Sequence, residues 1–314
     1  MEKPFYLAPM AELSHRALRE LIEDFGGCDG YFSEMISASA LFGGGPYEKW
    51  YIDPGPKPEK LVFQLVGSDP QAISSAAALL DRQECAGIDI NMGCSAPLIR
   101  KTGAGAAWMA SIDRAGELIS LIRPLISHLL SVKLRIGFKD DFDYLVRFCR
   151  RLEEAGAEMI TLHPRLVTEK FKRLARWEHV GMLRKELKIP VTGNGDISSP
   201  EDLVRRAAGP CDAVMAGRAA VRMPWIFAAG RGIEKEAHTE ALHSLEETGL
   251  RFLELLSMYQ PPDFHVSRAV RFFGFFSDNL KWGTFLKNKI NRENTLMGIE
   301  QVWQEYFKEN SEPQ

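Results

Sequence analysis

Eight short apolar runs recur along the first two-thirds of this chain, and a stretch of helical character separates most of them. This alternation constrains the fold more than any other feature, because strands joined through helical crossovers pair in parallel. The predicted strands cover residues 5–9, 30–35, 60–66, 87–92, 131–136, 158–163, 189–194 and 212–217.

The segments between these strands carry helix start and stop signals. In residues 199–209, Ser199 can cap a helix, Pro200 suits its first position and Gly209 can end it. Residues 141–156 follow the same pattern. These segments therefore predict helical crossovers between parallel strands.

Two α/β architectures fit this order, an open doubly wound sheet and a closed (β/α)8 TIM barrel. Eight strands, and a usual barrel length of about 250 residues, favour the barrel. The first strand is not followed by G-x-G-x-x-G, which weakens the doubly wound interpretation. Residues 238–260 and 297–310 instead predict amphipathic helices. We therefore predict a TIM barrel over residues 1–235 and a small C-terminal helical domain over residues 240–314.

Charge and cysteine content exclude several classes of protein. The net charge is −3, so a nucleic-acid partner would have to meet a local basic patch. The five cysteines include no C-x-x-C pair and are odd in number, which argues against a zinc site or a disulfide framework. The sequence has neither a signal-peptide core nor a run of membrane-spanning length. We expect a monomeric cytoplasmic protein without a metal.

The active site of a TIM barrel lies at the carboxyl ends of its strands, where many polar residues of this sequence would converge. A purely structural barrel would not need so many. The candidate residues at these strand ends are Pro9, Met10, Ala11, Glu34, Gln64, Asn91, Cys94, Lys133, Arg135, His163, Arg165, Asn194, Gly195, Asp196, Gly217 and Arg218.

The last two strand ends have the composition of a phosphate site. Loops after strands seven and eight of such barrels often hold a phosphate. Gly195 and Gly217 would let backbone N–H groups approach an anion, and Arg218 could add a charged hydrogen bond. The alternative is that these glycines only form tight turns. Their occurrence on two consecutive strands favours a phosphate-bearing cofactor.

Three polar residues within apolar strands each leave two interpretations. Lys133 should face the barrel interior, either in an ion pair with Asp89 or Asp196 or as a cation beneath an electron-rich cofactor ring. Gln64 suits hydrogen bonding to a heterocycle, but it could equally bond to neighbouring backbone. His163 is either another cofactor contact or a structural polar residue.

Cys94 follows a predicted strand on a turn that contains Gly93. A thiol has an ordinary pKa of about 8.5 and is mostly protonated near neutrality, so it can act as a general acid. With a base or cation beside it, a cysteine could instead be a nucleophile. A structural role on the turn is the third possibility, and the position at the expected active-site face disfavours it.

Taken together, the motifs of residues 5–228 resemble the tRNA-dihydrouridine synthases. The most diagnostic is "GIDINMGCSAP", which is similar to the family's D-[IL]-N-x-G-C-P-x-P. The others, in the family's order, are "LAPMAELSHRALR", "SEMI", "FQLVGSDP", "GAGAAWM", "VKLRIGF", "LHPR", "VTGNGDI" and "DAVMAGRAAVRMPWIF".

The resemblance implies an FMN enzyme that reduces a uridine of tRNA to 5,6-dihydrouridine with electrons from NADPH. It implies hydride transfer to uracil C6, protonation of C5 by Cys94, and tRNA binding by the helical domain. Asn91 and Arg165 would contact the substrate. The implied FMN contacts are Pro9, Met10, Ala11, Gln64, Lys133, His163, Asn194, Gly195, Asp196, Gly217 and Arg218.

The sequence departs from the family pattern at three places. Ser95 replaces the proline that usually follows the cysteine, and Leu98 replaces a lysine. The stretch after His163 is unusually basic, so we expect it to contact the tRNA backbone through Lys170, Lys172, Arg173 and Arg176. A second candidate patch in the helical domain contains Lys281, Lys287, Lys289 and Arg292, beside Trp282 and Phe285. For both, the alternative is a solvated helix face.

Two other functions remain open from the sequence. One is an FMN-dependent dehydrogenase of a free pyrimidine, of the dihydroorotate type, which would not need the basic segment. The other is a non-catalytic RNA-binding barrel, an interpretation supported by Ser95 and Leu98. Bound flavin, and its reoxidation by tRNA, would distinguish them from a synthase.

Overall fold

The computed structural model describes residues 2–169, 173–232 and 244–310 of the chain. Eight parallel strands form a closed barrel in chain order, with the last strand paired to the first. The predicted TIM barrel is therefore confirmed, and each predicted strand corresponds to an observed one. The strands are β1 (Phe5–Leu7), β2 (Gly30–Ser37), β3 (Leu61–Val66), β4 (Gly87–Met92), β5 (Leu129–Gly137), β6 (Met159–Leu166), β7 (Val191–Asn194) and β8 (Ala213–Ala216).

Helices lie between the strands and cover the outside of the barrel. Short 3-10 helices at Pro58–Lys60, Gly105–Ala110, Arg123–Leu125 and Ser277–Asn279 complete the pattern. None of the described helices is long and apolar enough to cross a membrane. The helices as far as residue 230 are α1 (Arg16–Asp24), α2 (Ala38–Gly43), α3 (Glu48–Tyr51), α4 (Pro70–Leu80), α5 (Pro97–Lys101), α6 (Ile112–Ile122), α7 (Phe142–Glu154), α8 (Trp177–Glu186), α9 (Pro200–Ala207), α10 (Arg218–Arg222) and α11 (Ile226–Gly230).

The predicted caps explain where two of these helices begin. The Ser199 hydroxyl accepts the N–H of Asp202, and Pro200 occupies the first position of α9. Asp141 caps α7 in the same way by accepting the N–H of Tyr144. Each cap satisfies a backbone donor that has no partner within its helix. The helix α9 ends at Ala207, two residues before the glycine expected to terminate it.

Alternation along each strand separates the main core from the barrel interior. Outward residues such as Ile88, Ile90 and Val132 belong to the large core beneath the helices. A separate apolar cluster of Ala8, Phe32, Val62, Met159 and Met215 packs inside the barrel. The remaining inward positions are largely polar, which leaves one end of the barrel suited to binding rather than packing.

Four further helices follow residue 244: α12 (Leu245–Tyr259), α13 (Pro262–Phe276), α14 (Gly283–Ile290) and α15 (Leu296–Asn310). The predicted C-terminal helices are thus confirmed. Aromatic rings fill their core, with Phe252 stacked on Phe272 at 3.7 Å between ring centroids. This core continues into that of the barrel helices, because α12 packs on α1. The predicted boundary between two domains lies among residues 233–243, outside the described residues.

A buried ion pair joins α13 to the barrel. Arg268 lies 2.8 Å from one carboxylate oxygen of Glu34, and both side chains are buried. The other oxygen of Glu34 accepts the N–H of Glu12 at 2.8 Å. Glu12 has a φ of 63°, a conformation that a non-glycine residue rarely adopts without support. Arg271 of the same helix pairs with the Glu12 carboxylate at 2.7 Å, so α13 holds the segment that follows β1.

We predict that Arg268→Met destabilises the protein by about 3–5 kcal/mol, because it leaves the Glu34 carboxylate buried without its charged partner. Adding Glu34→Gln should recover part of the loss. Urea unfolding would measure both effects. The matched control is Arg271→Met, which breaks an exposed ion pair and should cost less than about 1 kcal/mol. Equal losses for the two arginine variants would contradict this account.

Candidate active site

A cavity of about 450 Å³ opens at the carboxyl ends of the strands, within the size range of ligand pockets. The structure brings most of the residues predicted from the strand ends into its wall. They are Pro9, Met10, Asn91, Cys94, Lys133, Arg135, His163, Arg165, Asn194, Gly195, Asp196, Gly217 and Arg218.

Sequence reasoning missed five apolar residues of this wall, Met35, Ala96, Leu134, Ile197 and Met215. An apolar residue near a strand end carries no signal in the sequence that separates a cavity wall from the packed core. Two predicted cofactor contacts lie elsewhere. Ala11 is exposed beside the cavity, and Gln64 is fully buried beneath it. The predicted contacts of Ala11 and Gln64 with a cofactor stay predictions.

Hydrogen bonds from several elements hold the turn that presents Cys94. The Asn91 side-chain oxygen accepts the N–H groups of Gly93 at 3.1 Å and of Cys94 at 2.8 Å. The guanidinium of Arg135 donates to the Gly93 carbonyl at 3.1 Å. The Cys94 carbonyl accepts the N–H of Ala106 at 2.9 Å. The thiol is therefore placed at the cavity wall by a turn whose backbone is fixed on both sides.

The 3-10 helix behind this turn approaches it so closely that only glycine fits at position 105. Gly105 has a φ of 58°, and a Cβ there would lie 2.7 Å from the Cys94 carbonyl oxygen. Such a contact is well below van der Waals distance. The sequence "GAGAAWM" thus supports the Cys94 turn from outside the barrel.

Cys94 differs from the other four cysteines in its access to the cavity. Cys94 is half-buried, whereas Cys28, Cys85, Cys149 and Cys211 are buried. Burial raises the pKa of Cys28 to about 12 and that of Cys85 to about 11. It raises the pKa of Cys149 and Cys211 as well. Cys94 is therefore the cysteine placed to exchange a proton with a molecule in the cavity.

Lys133 contacts an amide rather than the carboxylates considered as its partners. Its ammonium donates to the Asn194 side-chain oxygen at 2.9 Å, and the Asn194 amide donates in turn to the Met215 carbonyl at 2.8 Å. Burial lowers the pKa of Lys133 to about 8, and the charge of Asp89 opposes this shift. Lys133 thus faces the cavity as a cation without a directly bonded carboxylate.

His163 is neutral at physiological pH. Burial, together with the charges of Lys133, Arg135, Arg165 and Arg218, lowers its pKa to about 2. Its Nε2 lies 2.8 Å from the Arg165 guanidinium, so this nitrogen accepts a hydrogen bond. The surroundings therefore keep His163 as an imidazole with a fixed orientation.

The described cavity wall carries more positive than negative charge. Lys133, Arg135, Arg165 and Arg218 line it, against the carboxylate of Asp196. That carboxylate pairs with Arg165 and accepts the N–H of Ala175 at 2.6 Å. Burial and the charge of Arg165 lower the pKa of Arg218. An anionic group would relieve the repulsion among these cations, so the wall suits a phosphate-bearing ligand.

Gly195 exposes backbone at the part of this wall where phosphate binding was predicted. It has a φ of 124°, a conformation that favours glycine, and a Cβ would lie 3.0 Å from the His163 ring. Neither the glycine turn nor the cationic wall alone indicates a cofactor. Their combination suits a phosphate group.

The predicted tRNA contacts differ in how far they are exposed. Arg165 is only 1% exposed. Arg176 bonds to both carboxylate oxygens of Glu169 at 2.7 Å and to Asp140 at 3.1 Å. Lys170 and Lys172 lie outside the described residues. Within the described part of the basic segment, Arg176 is therefore engaged with protein carboxylates, whereas Arg173 is exposed.

The second predicted patch presents exposed aromatic rings together with the exposed cations Lys281 and Arg292. Trp282 and Phe285 are 57% and 60% exposed. Lys287 lies 2.5 Å from Asp278, and Lys289 lies 3.8 Å from Glu309. Exposed rings beside lysines can stack on unpaired bases.

We predict that Lys133→Met raises the melting temperature of the flavin-free protein by about 2–6 °C at pH 7. The charged lysine should cost roughly 1–3 kcal/mol, because its pKa of about 8 in the folded state lies below the usual 10.5. The loss of stability caused by the charged Lys133 is complete below pH 8 and disappears as the pH rises towards 10.5. The difference between variant and wild type should therefore narrow between pH 8 and 9.5 in thermal melts.

The control is Lys139→Met at an exposed position, which should leave the melting temperature nearly unchanged at every pH. A Lys133 variant that is less stable than wild type at pH 7 would show that the lysine is not disfavoured in the fold.

Comparison with known proteins identifies the family. The sequence matches the model of the dihydrouridine synthase (Dus) family over residues 6–312. It is 32% identical over 227 residues, 70% of each chain, to a probable tRNA-dihydrouridine synthase of Aquifex aeolicus. It is 28% identical over 314 residues, 96% of this chain and 92% of the relative, to tRNA-dihydrouridine synthase B of Xanthomonas campestris. It is 29% identical over 238 residues, 72% of each chain, to tRNA-dihydrouridine(16) synthase of Ralstonia nicotianae.

The family match spans the barrel and the C-terminal helices, and it confirms the resemblance found in the motifs. The chain belongs to the dihydrouridine synthase family.

Proposed function

We propose that this protein reduces a uridine of tRNA to 5,6-dihydrouridine, using FMN bound in the barrel cavity and NADPH as the electron donor. The observation that carries the proposal is the Cys94 turn, which places a thiol at the wall of a cation-lined cavity in a chain of this family. Membership of the family supports the reaction class, and the residue roles below rest on the geometry.

The two chemically different ends of FMN, its phosphate and its ring system, would bind to different parts of the cavity wall. Gly195, Gly217 and Arg218 would bind the phosphate, because they combine exposed backbone with a guanidinium. Met10, Lys133 and His163 would lie against the ring system. When bound, reduced FMN would supply the hydride that is added to uracil C6.

Cys94 would donate the proton that completes the reduction. Hydride addition at C6 and protonation at C5 together add two hydrogens across the double bond. The thiolate left on Cys94 would then take a proton from solvent. A protonated thiol is required, and the Cys94 turn carries the thiol without a base bonded to it in the described structure.

Lys133 would stabilise negative charge at the ring system. Burial disfavours the charged ammonium and lowers its pKa, so an electron-rich partner beside Lys133 would be attracted to it. The Asn194 amide keeps the ammonium in place through its hydrogen bond of 2.9 Å. Arg165 would orient the neutral His163 ring in the same wall.

Binding of tRNA would involve both the barrel rim and the C-terminal helices, residues 240–314. The target uridine must leave its base stack to reach the cavity. Lys170 and Lys172 would neutralise backbone phosphates, and Trp282 and Phe285 offer exposed rings to unpaired bases. Relatives named for positions 16 and 47 are each 29% identical to this chain, so the degree of identity favours neither position.

We predict that Cys94→Ala slows reoxidation of the reduced flavin by unmodified tRNA by about 100-fold or more, because the general acid is lost. Anaerobic stopped-flow absorbance would measure the rate. Ser95→Ala, which changes the neighbouring side chain on the same turn, is the control and should remain within a few-fold of wild type.

Two outcomes would replace the proposal. If tRNA does not reoxidise the reduced flavin but a free pyrimidine does, the protein is a small-molecule dehydrogenase. If the purified protein neither retains nor takes up FMN, a non-catalytic RNA-binding role is the better account.

We predict that reversing the charge at Lys170 and Lys172 to glutamate weakens tRNA binding and reduces its salt dependence, because fewer phosphates would be neutralised. Binding isotherms at several salt concentrations would measure both effects. Reversal of the exposed Lys185 and Lys188, which changes the net charge by the same amount, is the control. Unchanged affinity and an unchanged salt slope would show that this segment does not touch the RNA backbone.

A further inference from the structure

A chain of hydrogen bonds runs inside the barrel from Asp89 to the Cys94 turn. The Gln64 side-chain nitrogen donates to Asp89 at 2.7 Å, and the Gln64 oxygen accepts from the Asn91 side-chain nitrogen at 2.8 Å. Asn91 then accepts the N–H groups of Gly93 and Cys94. Asp89, Gln64 and Asn91 are all buried, and they come from the adjacent strands β3 and β4.

Both ends of this chain fix the direction in which its amides point. The N–H groups of Gly93 and Cys94 can only donate, so Asn91 must direct its oxygen towards them. Its nitrogen then faces Gln64, which must accept through its own oxygen. This leaves the Gln64 nitrogen needing an acceptor, and an oxygen of Asp89 provides it. An acceptor at position 89 is therefore compatible with only one orientation of both amides.

Asp89 is itself held firmly in place. The Ser131 hydroxyl of β5 donates to its second oxygen at 2.6 Å. Burial raises the pKa of Asp89 to about 6, while the bonds from Ser131 and Gln64 and the charge of Lys133 oppose the shift. Burying a carboxylate is costly, and an apolar residue could fill the same space. Packing alone therefore does not explain a carboxylate at position 89. The hydrogen bonds that lead from it to the Cys94 turn do explain it.

We propose that Asp89 is a positioning residue for Cys94, acting through Gln64 and Asn91 to hold the backbone of the cysteine turn. The inference rests on the proposed role of Cys94 as the proton donor. Without an acceptor at position 89, only the N–H groups of Gly93 and Cys94 still favour this orientation, and a joint reversal of the Gln64 and Asn91 amides becomes easier. An Asn91 amide that turned over would direct its NH2 group at two backbone N–H groups and release the turn.

The test compares Asp89→Leu, which has a similar shape but no acceptor, with Asp89→Asn, which keeps an acceptor oxygen. With tRNA at saturation, flavin reoxidation should be at least 10-fold slower in Asp89→Leu and within about threefold of wild type in Asp89→Asn. The tRNA KM should stay within about threefold in both. If the Asp89→Leu protein does not fold, Asp89→Ala replaces it as the variant without an acceptor.

A second readout is independent of catalysis. Cys94 is the partly exposed cysteine, so its alkylation by iodoacetamide can be followed by mass spectrometry in the flavin-free protein. The alkylation rate should change at least threefold in Asp89→Leu and remain near wild type in Asp89→Asn. The control is Asp81→Ala, which removes a carboxylate that anchors a turn at Ser127 and His128. It should not change the alkylation rate.

A double-mutant cycle separates this inference from the proposed function. In a Cys94→Ala background, Asp89→Leu should slow the residual reaction by less than twofold, because its effect passes through Cys94. Equal, additive losses in both backgrounds would overturn the inference, as would equal losses in Asp89→Asn and Asp89→Leu. Full activity of Cys94→Ala would instead overturn the proposed role of the cysteine, and the alkylation rates would still decide whether Asp89 holds the turn.

Discussion

Closure of eight parallel strands is the constraint on which the rest of this structure depends. Closure directs alternate side chains into one narrow interior and brings every carboxyl end to the same rim. Apolar residues such as Phe32 and Met159 fill part of that interior. Above them, polar side chains have little access to water and must satisfy one another. The way in which these polar side chains bond to one another therefore determines the chemistry of the cavity.

The polar groups satisfy one another in two different ways. Asp89, Gln64 and Asn91 form a directional chain that ends in backbone, and the result is a fixed turn. The cations of the wall, in contrast, are only partly balanced by Asp196 among the described lining residues, and burial together with their positive charge lowers the pKa of His163. In the proposed function, the first arrangement would hold the proton donor in place, and the second would attract an anionic group. The C-terminal helices contribute from outside, because Arg268 reaches Glu34 and so supports the segment after β1.

Much of the fold could be predicted because its signals are local. The eight strands and the caps at Ser199 and Asp141 depend on residues close together in the chain. Side-chain partners were harder to predict, since they depend on strand register and on contacts between distant residues. Glu34 and Arg268 are 234 positions apart, and Arg176 turned out to bind Glu169 rather than to stand free. The Gln64 amide bonds to two side chains of the next strand rather than to neighbouring backbone, and its local sequence gives no signal for either partner.

The central claim is that electrons leaving the flavin enter a uridine of tRNA, with Cys94 completing the reduction. Its most direct test is a single-turnover reaction of the FMN-reduced enzyme with unmodified tRNA, quenched and digested to nucleosides for mass spectrometry. The account predicts one dihydrouridine for each flavin oxidised in the wild type and almost none in Cys94→Ala on the same timescale. Flavin oxidation without dihydrouridine, or equal product from both proteins, would contradict it.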